Sequence, residues 1–209
     1  DTVVLLLSLF FFAIAGVSGI GALYCFSKAR QVDDEQQPAR NLFAEVPDAA
    51  AFGPDRLGPG AVVTYGATDY LVRGTLEVTQ GQFTWYEHLL DGGDGSSFLA
   101  VEIDDGELEL VWWTSRKATG LTPQGVLEFE GGHYVEQGRG HARYVSHGTT
   151  GLPPGGEMAY IDYADASEQL RLGFEGWSND DSWEVSTGRV ILPGELIIYP
   201  APPAPDYSV

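Results

Sequence analysis

The chain has 209 residues, room for one modest domain and a shorter segment beside it. Its 30 Asp and Glu against 11 Lys and Arg give a formal net charge of -19 at pH 7. That charge repels nucleic-acid phosphates and anionic headgroups, so no nucleic-acid partner is expected. The one cysteine, Cys25, excludes an intrachain disulfide.

From Thr2 to Ser27 there is no charge, and residues 3–26 are almost continuously apolar. As a helix rising 1.5 Å per residue, this stretch spans roughly 36 Å, enough to cross a hydrocarbon core of about 30 Å. Residues 1–30 are therefore predicted to form a transmembrane helix and its flank, in contact with the lipid bilayer through residues 3–26. A cleaved signal peptide needs a basic start, a shorter apolar core and a small-residue cleavage site, and the sequence offers none of these. Lys28 and Arg30 follow the span whereas Asp1 precedes it. Flanking cations stay on the cytoplasmic side, which puts the N-terminus outside and the following domain in the cytoplasm. Ala15, Gly19 and Ala22 share one helix face, where small residues let a partner helix approach closely.

Residues 31–56 mix charges, alanines and prolines and read as an irregular linker, with a helical turn near Leu42 to Glu45. From 57 to 200, short β-branched and aromatic runs are broken at intervals by Gly and Asp. That pattern predicts an all-β, antiparallel sandwich or barrel. Candidate strands begin with Ala61 to Tyr65 and end with Leu196 to Tyr199; between them lie Gln82 to Leu90, Ser97 to Ile103, His133 to Gln137, Ala142 to His147, Met158 to Tyr163 and Leu170 to Phe174. Asp104-Asp105-Gly106, Gly131-Gly132, Gly138-Arg139-Gly140 and Ser178-Asn179-Asp180-Asp181 read as turns. Residues 201–209 form a Pro-rich tail.

A repeat crosses these strands. Tyr86-Glu87-His88-Leu89 precedes Phe98-Leu99-Ala100-Val101-Glu102, and Tyr160-Ile161-Asp162-Tyr163 precedes Leu170-Arg171-Leu172-Gly173-Phe174-Glu175. Both halves run aromatic, acid, turn, then an alternating strand ending in Glu, so two similar halves are expected. Glu87, Glu102, Asp162 and Glu175 are the candidate ligand-binding residues. Paired carboxylates in this pattern serve acid-base chemistry or cation binding when held together, while isolated strand acids bond turn amides or face solvent.

Asp91 to Glu102 superficially resembles a calcium loop, but Gly93 and Gly95 stand where side-chain oxygens are needed and Ser96 where the central glycine belongs. His88, His133, His141 and His147 have no ligand spacing. No metal site, cofactor or catalytic residue is expected.

The stretch Leu57-Gly58-Pro59-Gly60-Ala61-Val62-Val63, then Tyr70 to Leu76, Trp85 to Leu90 and Phe98 to Glu102, resembles the bacterial domain-of-unknown-function family numbered forty-one seventy-eight. The run Tyr160 to Tyr163, Leu170 to Glu175, Trp183-Glu184-Val185 and Ile191-Leu192-Pro193-Gly194 is similar to that family's second half. The resemblance implies a bacterial and, for a membrane-anchored form, actinobacterial origin. It also implies gene neighbourhoods with small membrane proteins, spermidine-synthase-like proteins and membrane-stress components. The expected location is thus the bacterial cytoplasmic membrane. The expected role is a non-enzymatic accessory or scaffold protein whose β domain binds integral membrane proteins or a larger membrane complex. Two alternatives are a binding module for a cationic small molecule such as a polyamine, and an enzyme using paired carboxylates.

Overall fold

In the computed structural model, residues 52–93, 96–104, 106–117, 119–177 and 182–202 are described. The predicted transmembrane helix, its Ala15, Gly19 and Ala22 face and most of the linker lie outside them, as does the turn at Ser178 to Asp181. Among the described residues no helix is long and apolar enough to cross a membrane.

The domain is all-β and antiparallel. The strands are β1 (Val62–Tyr65), β2 (Thr68–Gln80), β3 (Phe83–Asp91), β4 (Ser97–Asp104), β5 (Glu107–Arg116), β6 (Val126–Phe129), β7 (Gly132–Gly148), β8 (Gly155–Ala164), β9 (Leu170–Trp177), β10 (Glu184–Ile191) and β11 (Leu196–Tyr199). Among the described residues, helical structure is confined to the 3-10 turns Pro54–Arg56 and Pro193–Glu195. The sheet runs β11-β1-β2-β3-β4-β5-β10-β9-β8-β7-β6, and β2 pairs further with β7, leaving β11, β1 and β6 outside the closure. Eight strands, β2 to β5 and β7 to β10, therefore close into a ring, which leaves no free edge along its circumference. An eight-stranded ring has an interior just wide enough for side chains or one small ligand.

The ring is two consecutive meanders of the same design. In the first, β1 and β2 form a hairpin that pairs Val62 with Leu71; in the second, β6 and β7 pair Val126 with Val135. Both long strands then shift register by a bulge, between Val72 and Gly74 in β2 and between Glu136 and Gly138 in β7. A bulge bends a strand, so each long strand serves the outer arm with one end and the ring with the other. The arms cover the outer face. Val63, Leu196 and Leu57 pack on Leu90, Leu99, Val101, Leu110 and Trp112. Leu127 and Tyr134 pack on Ile161, Tyr163, Leu172 and Phe174. Tyr65 stacks on Trp112 at 4.3 Å between ring centroids.

Two expectations are corrected. His133 to Gln137 and Ala142 to His147 are parts of one strand, β7, and Gly138-Arg139-Gly140 lies within it rather than at a turn. Gly140 sits where the inner face of the ring is crowded: a Cβ on it would meet Gln80 Nε2 at 2.4 Å and the Tyr160 hydroxyl at 2.8 Å.

Candidate functional site

Side chains alternate across a strand, so every second residue of each ring strand points inward. On β3 these are Phe83, Trp85 and Glu87. Cross-strand pairing carries the same face to Ala100 and Glu102 on β4 and to Glu109, Val111 and Trp113 on β5. On β8 and β9 it holds Met158, Tyr160, Asp162, Arg171 and Glu175. One end of the interior is filled by Leu76, Val78, Ala142, Tyr144 and Met158. The remainder is a cavity of about 400 Å³ lined by the inward residues just named, with Gln80 and Phe98.

All four candidate acids line it. Glu87 and Asp162 stand two residues beyond Trp85 and Tyr160 on β3 and β8. Glu102 and Glu175 lie directly across from those aromatics, in the pairs Trp85 with Glu102 and Tyr160 with Glu175. Trp85 and Tyr160 meet edge to face, 5.8 Å between centroids. The expectation that strand acids bond turn amides fails for Glu87, Asp162 and Glu175, because they sit mid-strand on the inner face of a closed ring.

The electrostatics follow from that enclosure. Glu87 is 6% exposed and accepts a hydrogen bond from Trp85 Nε1 at 3.0 Å. Burial, with the nearby Asp162 carboxyl, pushes its pKa up to about 7 despite that bond. Burial and the Glu102 carboxyl raise Asp162 to about 6, partly offset by Arg171. Burial and then Glu87, Asp162 and Glu184 raise Glu175 well above the usual carboxylate range. Glu102 is itself exposed, at the open side of the cluster. Among the described residues, no hydrogen-bond donor reaches Asp162 or Glu175. The single cationic side chain of the lining, Arg171, has its guanidinium 3.5 Å from Glu109. The Tyr160 hydroxyl donates to Gln80 Oε1 at 2.5 Å. Among the described residues, no three His, Cys, Asp or Glu side chains converge as a metal-binding group.

Sequence reading missed the aromatic wall. Trp113 and Phe98 stack at 5.9 Å, and a Cβ on Gly188 would meet Trp113 Cε3 at 2.8 Å, so the glycine is the seat of the indole. The signal was present in the period of two: stepping back from Glu87 gives Trp85 and Phe83, and stepping back from Glu102 gives Ala100 and Phe98. Their inward direction depended on ring closure, which has no local signature.

Residues 58–193 match the family described as Domain of unknown function (DUF4178). Uncharacterized proteins of Mycobacterium bovis (strain ATCC BAA-935 / AF2122/97) and Mycobacterium tuberculosis (strain ATCC 25618 / H37Rv) are each 51% identical over 156 residues, covering 73% of this chain and 76% of theirs. No solved structure matches. The match over residues 58–193, a span that holds both halves of the ring, makes this chain a member of the DUF4178 family.

Proposed function

We propose that the barrel is a binding module for a cationic small organic molecule held in its acidic, aromatic interior. The observation that carries this reading is the enclosed cluster of Glu87, Asp162 and Glu175, in which no cation is paired with Glu87 or Glu175 and two of the three carboxyls lack any donor. Burying a carboxyl without a partner costs several kcal/mol as the ion, so the group keeps its proton instead. An entering cation reverses this balance: it supplies both the charge and the N–H donors, and the aromatic faces of Trp85 and Trp113 add cation-π attraction. Binding is then coupled to proton release. Isothermal titration of the full chain with spermidine, in buffers of differing ionisation enthalpy near neutral pH, should show saturable binding with protons leaving the protein. Heat without saturation, or binding without any proton release, would sink the reading.

The same proposal retains the N-terminal apolar run as a membrane anchor with the barrel on the cytoplasmic side. The charge-free residues 3–26 and the cations Lys28 and Arg30 support it. A C-terminal reporter should then resist external protease in intact cells; its digestion without permeabilisation reverses the topology.

A second reading, as an accessory subunit of a membrane complex, is favoured by an exposed apolar row across three strands. Val62 is flanked by Leu71, 45% exposed, and Tyr199, 55% exposed, with Ile197 beside them at 57%. Such rows are common at protein contacts. Leu71→Lys together with Ile197→Lys should release co-purifying membrane proteins while leaving amine binding intact; unchanged co-purification removes this reading.

A further inference from the structure

The cavity is built twice. Each half supplies an aromatic-x-acid run facing a small-x-Glu run: Trp85 and Glu87 against Ala100 and Glu102, then Tyr160 and Asp162 against Gly173 and Glu175. The halves meet at the Trp85–Tyr160 contact. The acids interact across this meeting line, Glu87 with Asp162, Glu175 with Glu87, and Asp162 with Glu102. A molecule with one positive centre answers one half and leaves the carboxyls of the other without a cation. A quaternary ammonium satisfies an aromatic wall but brings no N–H to oxygens that lack donors.

We infer that the ligand is a linear aliphatic molecule with at least two primary or secondary ammonium groups, one for each half of the duplicated cavity. This rests on the cation reading above and narrows it. The two ends bind as linked modules, so the second engages at the high effective concentration fixed by the connecting chain. Methylenes between them lie against Phe83, Val111 and Met158, the apolar part of the lining. The acids do not demand a rigid ligand, because an unbranched chain adjusts its span by rotation about single bonds.

The test uses the full chain and a series of α,ω-diamines of increasing length, each paired with the monoamine of equal length, and tetramethylammonium as the quaternary probe. The best diamine should bind at least about tenfold tighter than its monoamine, and tetramethylammonium should bind no better than the monoamine. Glu175→Gln removes an acid of the second half and should cut the diamine-to-monoamine ratio by severalfold while changing monoamine affinity less. Asp162→Asn carries the same test should the first variant fail to fold, with near-ultraviolet circular dichroism as the folding check. Equal affinity for diamine and monoamine in the unmodified chain overturns the two-ended ligand and leaves the cation reading standing. Failure of every amine to bind overturns both.

Discussion

The two halves of the ring share a backbone plan and an acid pattern, yet they close the cavity differently. Counting back from Glu102, the first half places Phe98 four residues earlier, stacked against Trp113. The second half, counting back from Glu175, places Arg171 there, and its cross-strand partner is Gly188. One half contributes the indole and the other the hollow that receives it, for Trp113 also lies 3.2 Å from where a Cβ of Gly173 would be. The comparison teaches that the duplicated framework holds the carboxyls in common, while each half has specialised its wall so that the two interlock.

Titration tests what the halves have in common, and it should give the largest effect. Glu87 of the first half and Asp162 and Glu175 of the second have pKa values raised by folding. Their contribution to stability is present at low pH and is lost as pH rises from the unfolded values through about 6 for Asp162 and about 7 for Glu87. His88 opposes them: burial lowers its pKa to about 3, so it costs stability as pH falls below its unfolded value. Above about pH 6.5 His88 is neutral in both states and only the acids act. Stability by chemical denaturation, without ligand, should therefore fall by a few kcal/mol between about pH 6.5 and pH 8. Glu87→Gln should flatten the slope, and a profile that rises through neutral pH contradicts the enclosure.

Filling the hollow breaks the interlock. Gly188→Leu would press on Trp113 and Val111, each 2.8 Å from the new Cβ, and should destabilise by about 3 kcal/mol. Trp113→Ala in the same background should recover part of that loss; strictly additive losses mean the indole is not seated there. The paired bulges separate the halves more finely. A Cβ on Gly74 would meet the Thr149 carbonyl oxygen at 2.6 Å, whereas Gly138 has nothing within 4 Å. Gly74→Ala should cost about 2 kcal/mol and Gly138→Ala less than about 0.5 kcal/mol, measured by urea unfolding. A small effect of opposite sign concerns the apolar end of the cavity, where the Tyr144 hydroxyl is buried with no partner among the described residues. Tyr144→Phe should change stability by less than about 1 kcal/mol and in the stabilising direction.

Much of this was legible in the chain because strands announce themselves by alternation. Glu87, Glu102, Asp162 and Glu175 stood out through the repeated aromatic-acid pattern, and the same pattern announced the two-part design. Their surroundings did not, because an acid on an inner face and one on a solvent face obey the same period of two. Only the pairing of β2 with β7 decides between them, and that is a contact between distant segments. Gly138-Arg139-Gly140 misled for a related reason: glycine marks a turn when the chain must reverse, but here Gly140 marks room for Gln80 and Tyr160 across the ring.

The closing seam also bears on how the protein is made. Thr79 and Arg143, hydrogen-bonded across it, are 64 residues apart in the chain. At a synthesis rate of about 5–20 residues per second, the end of β2 leaves the ribosome roughly 3 to 13 s before the segment that will pair with it. During that interval the stretch Gly74 to Thr79 is an open strand edge, the kind that recruits the wrong partner. Non-local pairing of this sort is slow even after the chain is complete. The strand that pairs with β5, β10, is made later still, so a nascent chain halted before β7 presents the edges of both β2 and β5 to any chaperone nearby.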